Sequence, residues 1–338
     1  MKLLFYFFLQ FAIWTSFIAC KTPSVTATQS VINGNIANNA NRYDDAITHY
    51  EKYLSASAQL GLYRDYAEEA VVCRNLAHAY ATKGKFNQTE SYLKKAILKD
   101  SVASNQLALI EDYRDLGEAY AYQGEYTKSL LYLSKALVVD EGMVASNKNV
   151  KKISAAHTNL ALARVHVSAG NFKEAEGYSF KALALYTTFL SDHSGETEVK
   201  LLLGIIAREK NQLAQAEKYL TESIALCEKH GFNSARQQQA LSEVYWLKGD
   251  IENTMRLKLL ALEQAQQTNI LPMIIIAQMR IGDVYQKLGD QKKPSYYYQK
   301  ALELEAAGDA SSFAPSLKMR MGDSHGALDY YSRSGPSL

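Results

Sequence analysis

With 338 residues the chain has room for two ordinary domains or one elongated array, and its 47% hydrophobic and 21% charged content supports a buried core along most of that length. A formal net charge of +2 supplies none of the basic excess that nucleic-acid binding shows, so no nucleic-acid partner is expected. Five prolines leave room for long helices, and 23 tyrosines against 11 phenylalanines point to rings that pack on one side and offer a hydroxyl to a polar partner.

The first element is a leader. Lys2 precedes an apolar run from Leu3 to Trp14, and small or apolar residues then lead to Cys20, which is the build of a secretory signal. Phe17-Ile18-Ala19-Cys20 resembles the lipobox of bacterial lipoproteins, with Phe17 where that family has a leucine-like residue. The resemblance implies cleavage before Cys20 and a lipid on Cys20. An ordinary signal peptide and an uncleaved anchor of borderline length are the competing readings. The expected boundaries are a signal peptide over 1–19, a flexible tether over 20–30 and helical repeats over 31–338. The chain is then exported to the cell envelope as a periplasm-facing lipoprotein that meets the membrane only through its N-terminal lipid or anchor. Cys73 and Cys227 lie inside helical patterns far apart along the array and read as small buried hydrophobes rather than a disulfide.

The elements that follow repeat. Asn75-Leu76-Ala77-His78-Ala79-Tyr80 aligns with Asp115-Leu116-Gly117-Glu118-Ala119-Tyr120, each followed four residues on by a glycine. The frame returns four more times, so that the turn position falls at 84, 124, 170, 211, 249 and 289. A large residue, a small one and then an aromatic make a helix stripe with one point of close approach, and glycine ends that helix in the left-handed conformation. A second helix follows with small, large and small residues, as in Thr89/Leu93/Ala96, Ser129/Leu133/Ala136 and Ala216/Leu220/Ser223. These residues resemble the tetratricopeptide repeat, in a variant with a spacing near forty residues. The resemblance implies an all-α fold: a right-handed superhelical solenoid of antiparallel helix hairpins, with about six to eight repeats. The extra length is expected in the helices and in loops such as Lys99–Asn105 and Glu141–Val150.

The pattern has local departures. Asn211 takes the place of the turn glycine, and Pro294 fits only if its helix starts beside it. A weaker copy, with a poor first helix, precedes the others at Asn41-Arg42-Tyr43. Arg320-Met321-Gly322-Asp323 echoes Arg280-Ile281-Gly282-Asp283, and this last repeat is expected to be incomplete.

No phosphate loop, metal-binding pair of histidines on a helix or nucleophile elbow is present, so no cofactor, metal or catalytic residue is expected. Cys227 and His230 could share a helix face, but a buried cysteine and a histidine in a last helical turn account for them. In the family that the repeats resemble, first helices line a groove that holds a protein or peptide. Carried onto this chain, the positions are Arg74, Asn75, His78, Arg114, Asp115, Glu118, Arg164, Arg208, Arg236, Arg280 and Asp283. Arg74 and Asn75 are similar to part of a carboxylate clamp, yet Asp115 and Glu118 would repel a carboxylate in the next repeat. The competing view is a solvated mixed-charge face whose arginine stems cover apolar surface. Two functions are expected from these elements: an envelope adaptor that holds a partner, or a sensory module whose output domain is on another chain or missing.

Overall fold

A computed structural model describes residues 25–60, 64–143, 148–268, 271–290, 292–307 and 313–322. All of Met1–Cys20, with the lipobox, lies outside these, as does the chain beyond Gly322. Helices fill the described residues in the order α1 (Val25–Asn39), α2 (Tyr43–Ala58), α3 (Tyr66–Thr82), α4 (Phe86–Val102), α5 (Gln106–Tyr122), α6 (Tyr126–Gly142), α7 (Lys148–Ser168) and α8 (Phe172–Leu185). A π-helical turn, Tyr186–Leu190, follows, then α9 (His193–Glu209), α10 (Leu213–His230), α11 (Ala235–Leu247), α12 (Ile251–Thr268), α13 (Leu271–Lys287), α14 (Lys293–Ala307) and α15 (Ala314–Arg320). They form two compact units that divide between Leu185 and Tyr186. In the first unit the hairpins are α1/α2, α3/α4, α5/α6 and α7/α8; in the second they are α9/α10, α11/α12 and α13/α14, with α15 packed on α14.

One local device closes the hairpins. Gly84, Gly124, Gly170, Gly249 and Gly289 all take positive φ, and so do Asn41 (57°) and Asn211 (58°). The next residue then donates its N–H back across the turn: Lys85 to Tyr80 (2.9 Å), Glu125 to Tyr120 (2.9 Å), Gln212 to Ala207 (2.8 Å) and Asp250 to Tyr245 (2.9 Å). These bonds satisfy carbonyls that a helix end leaves orphaned, and asparagine tolerates the left-handed region well enough to replace glycine twice. At the starts of α3 and α9, carboxylates cap. Glu68 N–H donates to Asp65 Oδ1 (3.0 Å), and Ser194 and Gly195 N–H donate to Asp192 Oδ1 (3.0 and 3.1 Å).

Packing follows the small-and-large pattern. Leu93, Leu133 and Leu220 are buried between the helices of their hairpins together with Ala96, Ala136 and Ser223. Gly117 shows why the facing residue must be small: a Cβ there would sit 2.7 Å from Leu133 Cγ. Pro294 is the second residue of α14, where its missing N–H costs nothing.

Three boundaries differ from the sequence reading. Helix α1 begins at Val25, inside the segment expected as a tether, because Ala27 and Ser30 are buried and α1 packs on α2. Gly34 supplies the close approach, under the ring of the buried Tyr50, so the first repeat has a complete first helix. Most of Lys99–Asn105 is not loop: α4 runs to Val102, and α3, α4 and α5 are each 17 residues long, so that the extra length here goes into helices.

First helices also meet the next first helix, α5 against α7 and α9 against α11, whereas consecutive second helices do not pack to that extent. In each unit the first helices therefore line the inner side of the curve. This places the candidate surface.

Candidate functional site

In the first unit the inner surface opens into a recess of about 530 Å³ between α3, α4 and α5, lined by Arg74, His78, Phe86, Asp115, Glu118 and Tyr122 among others. The Phe86 and Tyr122 rings meet at a centroid distance of 5.2 Å and form an aromatic rim. Asp115 remains accessible to water, yet protein crowds it on the floor of the recess. That crowding, reinforced by Glu118 and Glu111, pushes its carboxyl up to about 6 against the pull of Arg114. The recess is an acidic hollow with an aromatic edge.

Arg74 lines this recess and also bonds across the seam between hairpins. Its Nη1 donates to Asp100 Oδ2 (2.5 Å) and Asp112 Oδ1 (2.9 Å), two carboxylates with fully buried side chains. Burial raises the Asp112 carboxyl strongly and the charge of Asp100 adds to this, while Arg74 holds it back. Asn75 donates to Asn35 Oδ1 (3.3 Å), the same oxygen that accepts from the Tyr50 hydroxyl (2.8 Å). The pair that resembles part of a carboxylate clamp thus already bonds to other side chains of the array.

In the second unit a cavity of about 230 Å³ lies between α11, α12 and α13, with Arg236, Ser242, Lys258, Met273, Ile276 and Arg280 in its wall. A neighbouring recess of about 250 Å³ shares Lys258 and Arg280 and adds Trp246, Asp283 and Lys287. Partial burial lowers Lys258, and the nearby charge of Arg280 lowers it further. Burial also lowers Arg280, against the pull of Asp283.

The other positions are scattered. Arg164 Nη1 lies 3.4 Å from Glu118 Oε1, and Arg236, 68% exposed, lies 2.8 Å from Glu198 Oε2. Arg208 pairs with Glu243 and with Glu209 (2.5 Å). Arg320 Nε donates to Asp283 Oδ1 (2.8 Å), which also accepts from the Tyr298 hydroxyl (2.8 Å). His78 and Glu118 are exposed and Arg114 is half-buried. The arginines do not form one ladder, because they occupy different turns of their helices. The structure instead brings together two groups: His78, Asp115 and Glu118, and separately Arg236 and Arg280 with Lys258. Sequence reading missed Lys258 because it lies on a second helix.

Among the described residues, no three His, Cys, Asp or Glu side chains come together as a metal site, and no helix is long and apolar enough to cross a membrane. Cys73 and Cys227 are both buried free thiols. His230 stacks on His193 with ring centroids 4.0 Å apart, close to the end of α10.

Residues 154–229 and 276–307 match models of the tetratricopeptide repeat. No curated protein matches the chain as a sequence. Among solved structures, the apo form of the quorum sensor NprR from B. thuringiensis is similar with a TM-score of 0.68 at 12% identity, over 84% of this chain and 77% of that one. A tetratricopeptide repeat protein from Parabacteroides merdae gives a TM-score of 0.58 at 11% identity, over 88% of this chain and 99% of that one. A Rap protein complexed with competence and sporulation factor gives 0.57 at 14% identity, over 85% and 76% of the two chains. At such identities the likeness is one of fold. The chain is an all-helical solenoid of antiparallel hairpins that carries tetratricopeptide repeats.

Proposed function

We propose that this chain is a non-catalytic scaffold that holds a protein or peptide along the inner faces of its first helices. The observation that carries this reading is the pair of recesses on those faces, one edged by Phe86 and Tyr122 and the other by Met273 and Ile276, each with charged side chains at hand. Apolar recesses with a few polar groups suit the side chains of a partner laid across them. The fold itself leaves function open, since function resides in the surface that the repeats present. From its leader, the scaffold is exported to the bacterial envelope and anchored by a lipid on Cys20.

A photo-reactive amino acid in place of His78, on the inner face, and in place of Lys95, on an exposed outer helix, tests the surface directly. In envelope extract, a cross-linked partner is expected from position 78 and not from position 95. Equal cross-linking from both, or from 95 alone, would overturn the inner-face reading. The anchor is tested separately: incorporation of labelled palmitate should be lost in Cys20→Ala, and label retained by that variant would refute it.

A regulatory version of the same reading is supported by the likeness to the quorum sensor NprR and to a Rap protein complexed with competence and sporulation factor. There the scaffold senses its ligand and passes the change to an output on another chain. A ligand-dependent change in a second protein's activity, absent when the recess is mutated, distinguishes it from a passive adaptor.

A further inference from the structure

We infer that the cavity between α11, α12 and α13 is a subsite for an acidic–apolar peptide segment, in which Lys258 and Arg280 clasp an internal Asp or Glu side chain and the adjoining apolar wall receives the residue beside it. The inference rests on the scaffold reading and names the chemistry of its ligand.

The first observation is one of register. Counting nine residues on from each left-handed turn residue gives Tyr50, Leu93, Leu133, Leu220 and Tyr298, all buried between the helices of their hairpins. The same count from Gly170 gives the small buried Ser179, and from Gly249 it gives Lys258. A position that packs an apolar side chain in five hairpins carries an ammonium group in this one. Stability gives no reason for it, because a partly buried cation loses hydration that a leucine would not miss. Among the described residues, Lys258 Nζ bonds to Ser242 Oγ, at 3.4 Å.

The second observation concerns charge. Lys258 and Arg280 border the same two recesses, and among the described residues neither has a carboxylate within ion-pair distance. The acids nearby are engaged elsewhere: Glu243 with Arg208, and Asp283 with Arg320 and the Tyr298 hydroxyl. Asp283 attracts both cations from beyond ion-pair distance, but it is already bonded to Arg320 and the Tyr298 hydroxyl. An arriving carboxylate in direct contact therefore relieves the remaining repulsion between Lys258 and Arg280 and their lost hydration.

Size and continuity select the ligand. A cavity of about 230 Å³ falls below the roughly 300–1,000 Å³ that encloses a whole small molecule, so it takes a side chain or two of something longer. Ala261, Met273, Ile276 and Ala277 give it an apolar wall. Because Lys258 and Arg280 are shared with the recess that holds Trp246, the cationic point lies between two hollows rather than at a closed end. A chain running through, with its acid in the middle, fits this better than a chain terminus.

The test uses the full chain, immobilised, and two peptide pools blocked at both ends so that neither carries a terminal charge. One pool has a central Leu-Glu-Leu with randomised flanks; the other has Leu-Gln-Leu. Retention is read by mass spectrometry. The Glu pool should be retained at least tenfold better, and the ratio should fall to about one in Lys258→Leu, which installs the residue that Leu93 and Leu133 supply in their own hairpins. Arg280→Gln, on a different helix, should do the same and guards against a packing defect in the first variant. Equal retention of both pools by the parent would overturn the carboxylate subsite and leave the scaffold reading standing. A Glu preference that survives both variants would place recognition elsewhere and overturn the assignment. Retention of neither pool would overturn the subsite, and loss of the His78 cross-link as well would remove the scaffold reading with it.

Discussion

Arg74 on α3 and Asp112 on α5 are joined by a 2.9 Å hydrogen bond across the seam between successive hairpins, with Asp100 of α4 bonded to the same nitrogen. One guanidinium thus ties three helices, and two buried carboxylates share one cation. Burial first, and then repulsion from Asp100, leave Asp112 holding its proton well above the usual carboxylate range despite Arg74. Removing the cation should cost more than removing either acid: Arg74→Met is expected to destabilise by about 3–5 kcal/mol, the usual loss when a buried pair is broken from one side.

The pH dependence has a definite sign. Folded Asp112 retains a proton that the unfolded chain, with a carboxyl near 3.8, has released. The folded state therefore binds more protons, and this contribution to stability is lost as pH rises through the folded value. Asp112→Asn keeps a neutral hydrogen-bonding group and removes the loss. Urea unfolding of the two proteins from about pH 5 to about pH 9 should show a falling midpoint in the parent and a more level one in the variant. A parent midpoint that rises over that range would contradict the assignment.

Glu69 predicts the opposite slope. Burial alone would raise its carboxyl, but bonds from Arg64 (2.7 Å to each oxygen), Lys99 and Ser57 (2.5 Å) overcome this and hold it at about 2. The stabilisation is complete above the ordinary value near 4.5 and is lost as pH falls towards about 2. Glu69→Gln should lower stability at neutral pH by about 3 kcal/mol and flatten the acid limb of the unfolding curve. An unchanged acid limb would show that another carboxylate sets it.

The hairpin interior allows a coupling test. Gly117→Ala puts a Cβ 2.7 Å from Leu133 Cγ, and overpacking of this kind costs about 1–3 kcal/mol. Leu133→Ala alone opens a cavity at a cost of about 2–5 kcal/mol. Because the added methyl enters the space that Leu133 leaves, the double variant should be more stable than the sum of the two single losses predicts. Strict additivity in thermal unfolding would show that the two positions do not share the close approach.

The hairpins were legible because they are local: a turn residue, a small residue and a large one recur within a single repeat. Even the departures at Asn211 and Pro294 carried their own explanation, a tolerated left-handed turn and a helix start. The links between hairpins were not legible in the same way. Arg74 meets Asp112 from 38 positions away, and no residue type in one repeat announces which acid of the next will face it. Arg74 was therefore legible as a residue of the inner surface, but its bonds to Asp100 and Asp112 across the seam were not. Where an aromatic precedes the turn it was visible, but its stacking partner on the second helix was not, as in Tyr80 with Tyr92 and Tyr120 with Tyr132. Lys258 was legible in principle, since aligning second helices would have exposed a lysine in a column otherwise made of leucines, tyrosines and one serine, all buried; attention to first helices passed over it.

Asp115 links the acidic recess to pH. Its carboxyl, near 6, lies well above the ordinary 3.8, first because the protein packed beside this water-accessible group costs it hydration, with Arg114 opposing, and then because Glu118 and Glu111 repel its negative charge. Proton uptake by the folded chain makes this group's contribution favourable below the unfolded value and progressively lost as pH rises through about 6. Glu118→Gln removes one of the repelling charges, so the Asp115 carboxyl should titrate at lower pH, while Arg114→Gln should move it higher. Carbon NMR of the labelled side chain reads both shifts directly. A common direction in the two variants would mean that backbone rearrangement, rather than charge, governs the group. Opposite shifts would establish that the charges of Glu118 and Arg114 set where Asp115 titrates, and with it the charge that this recess presents to a partner.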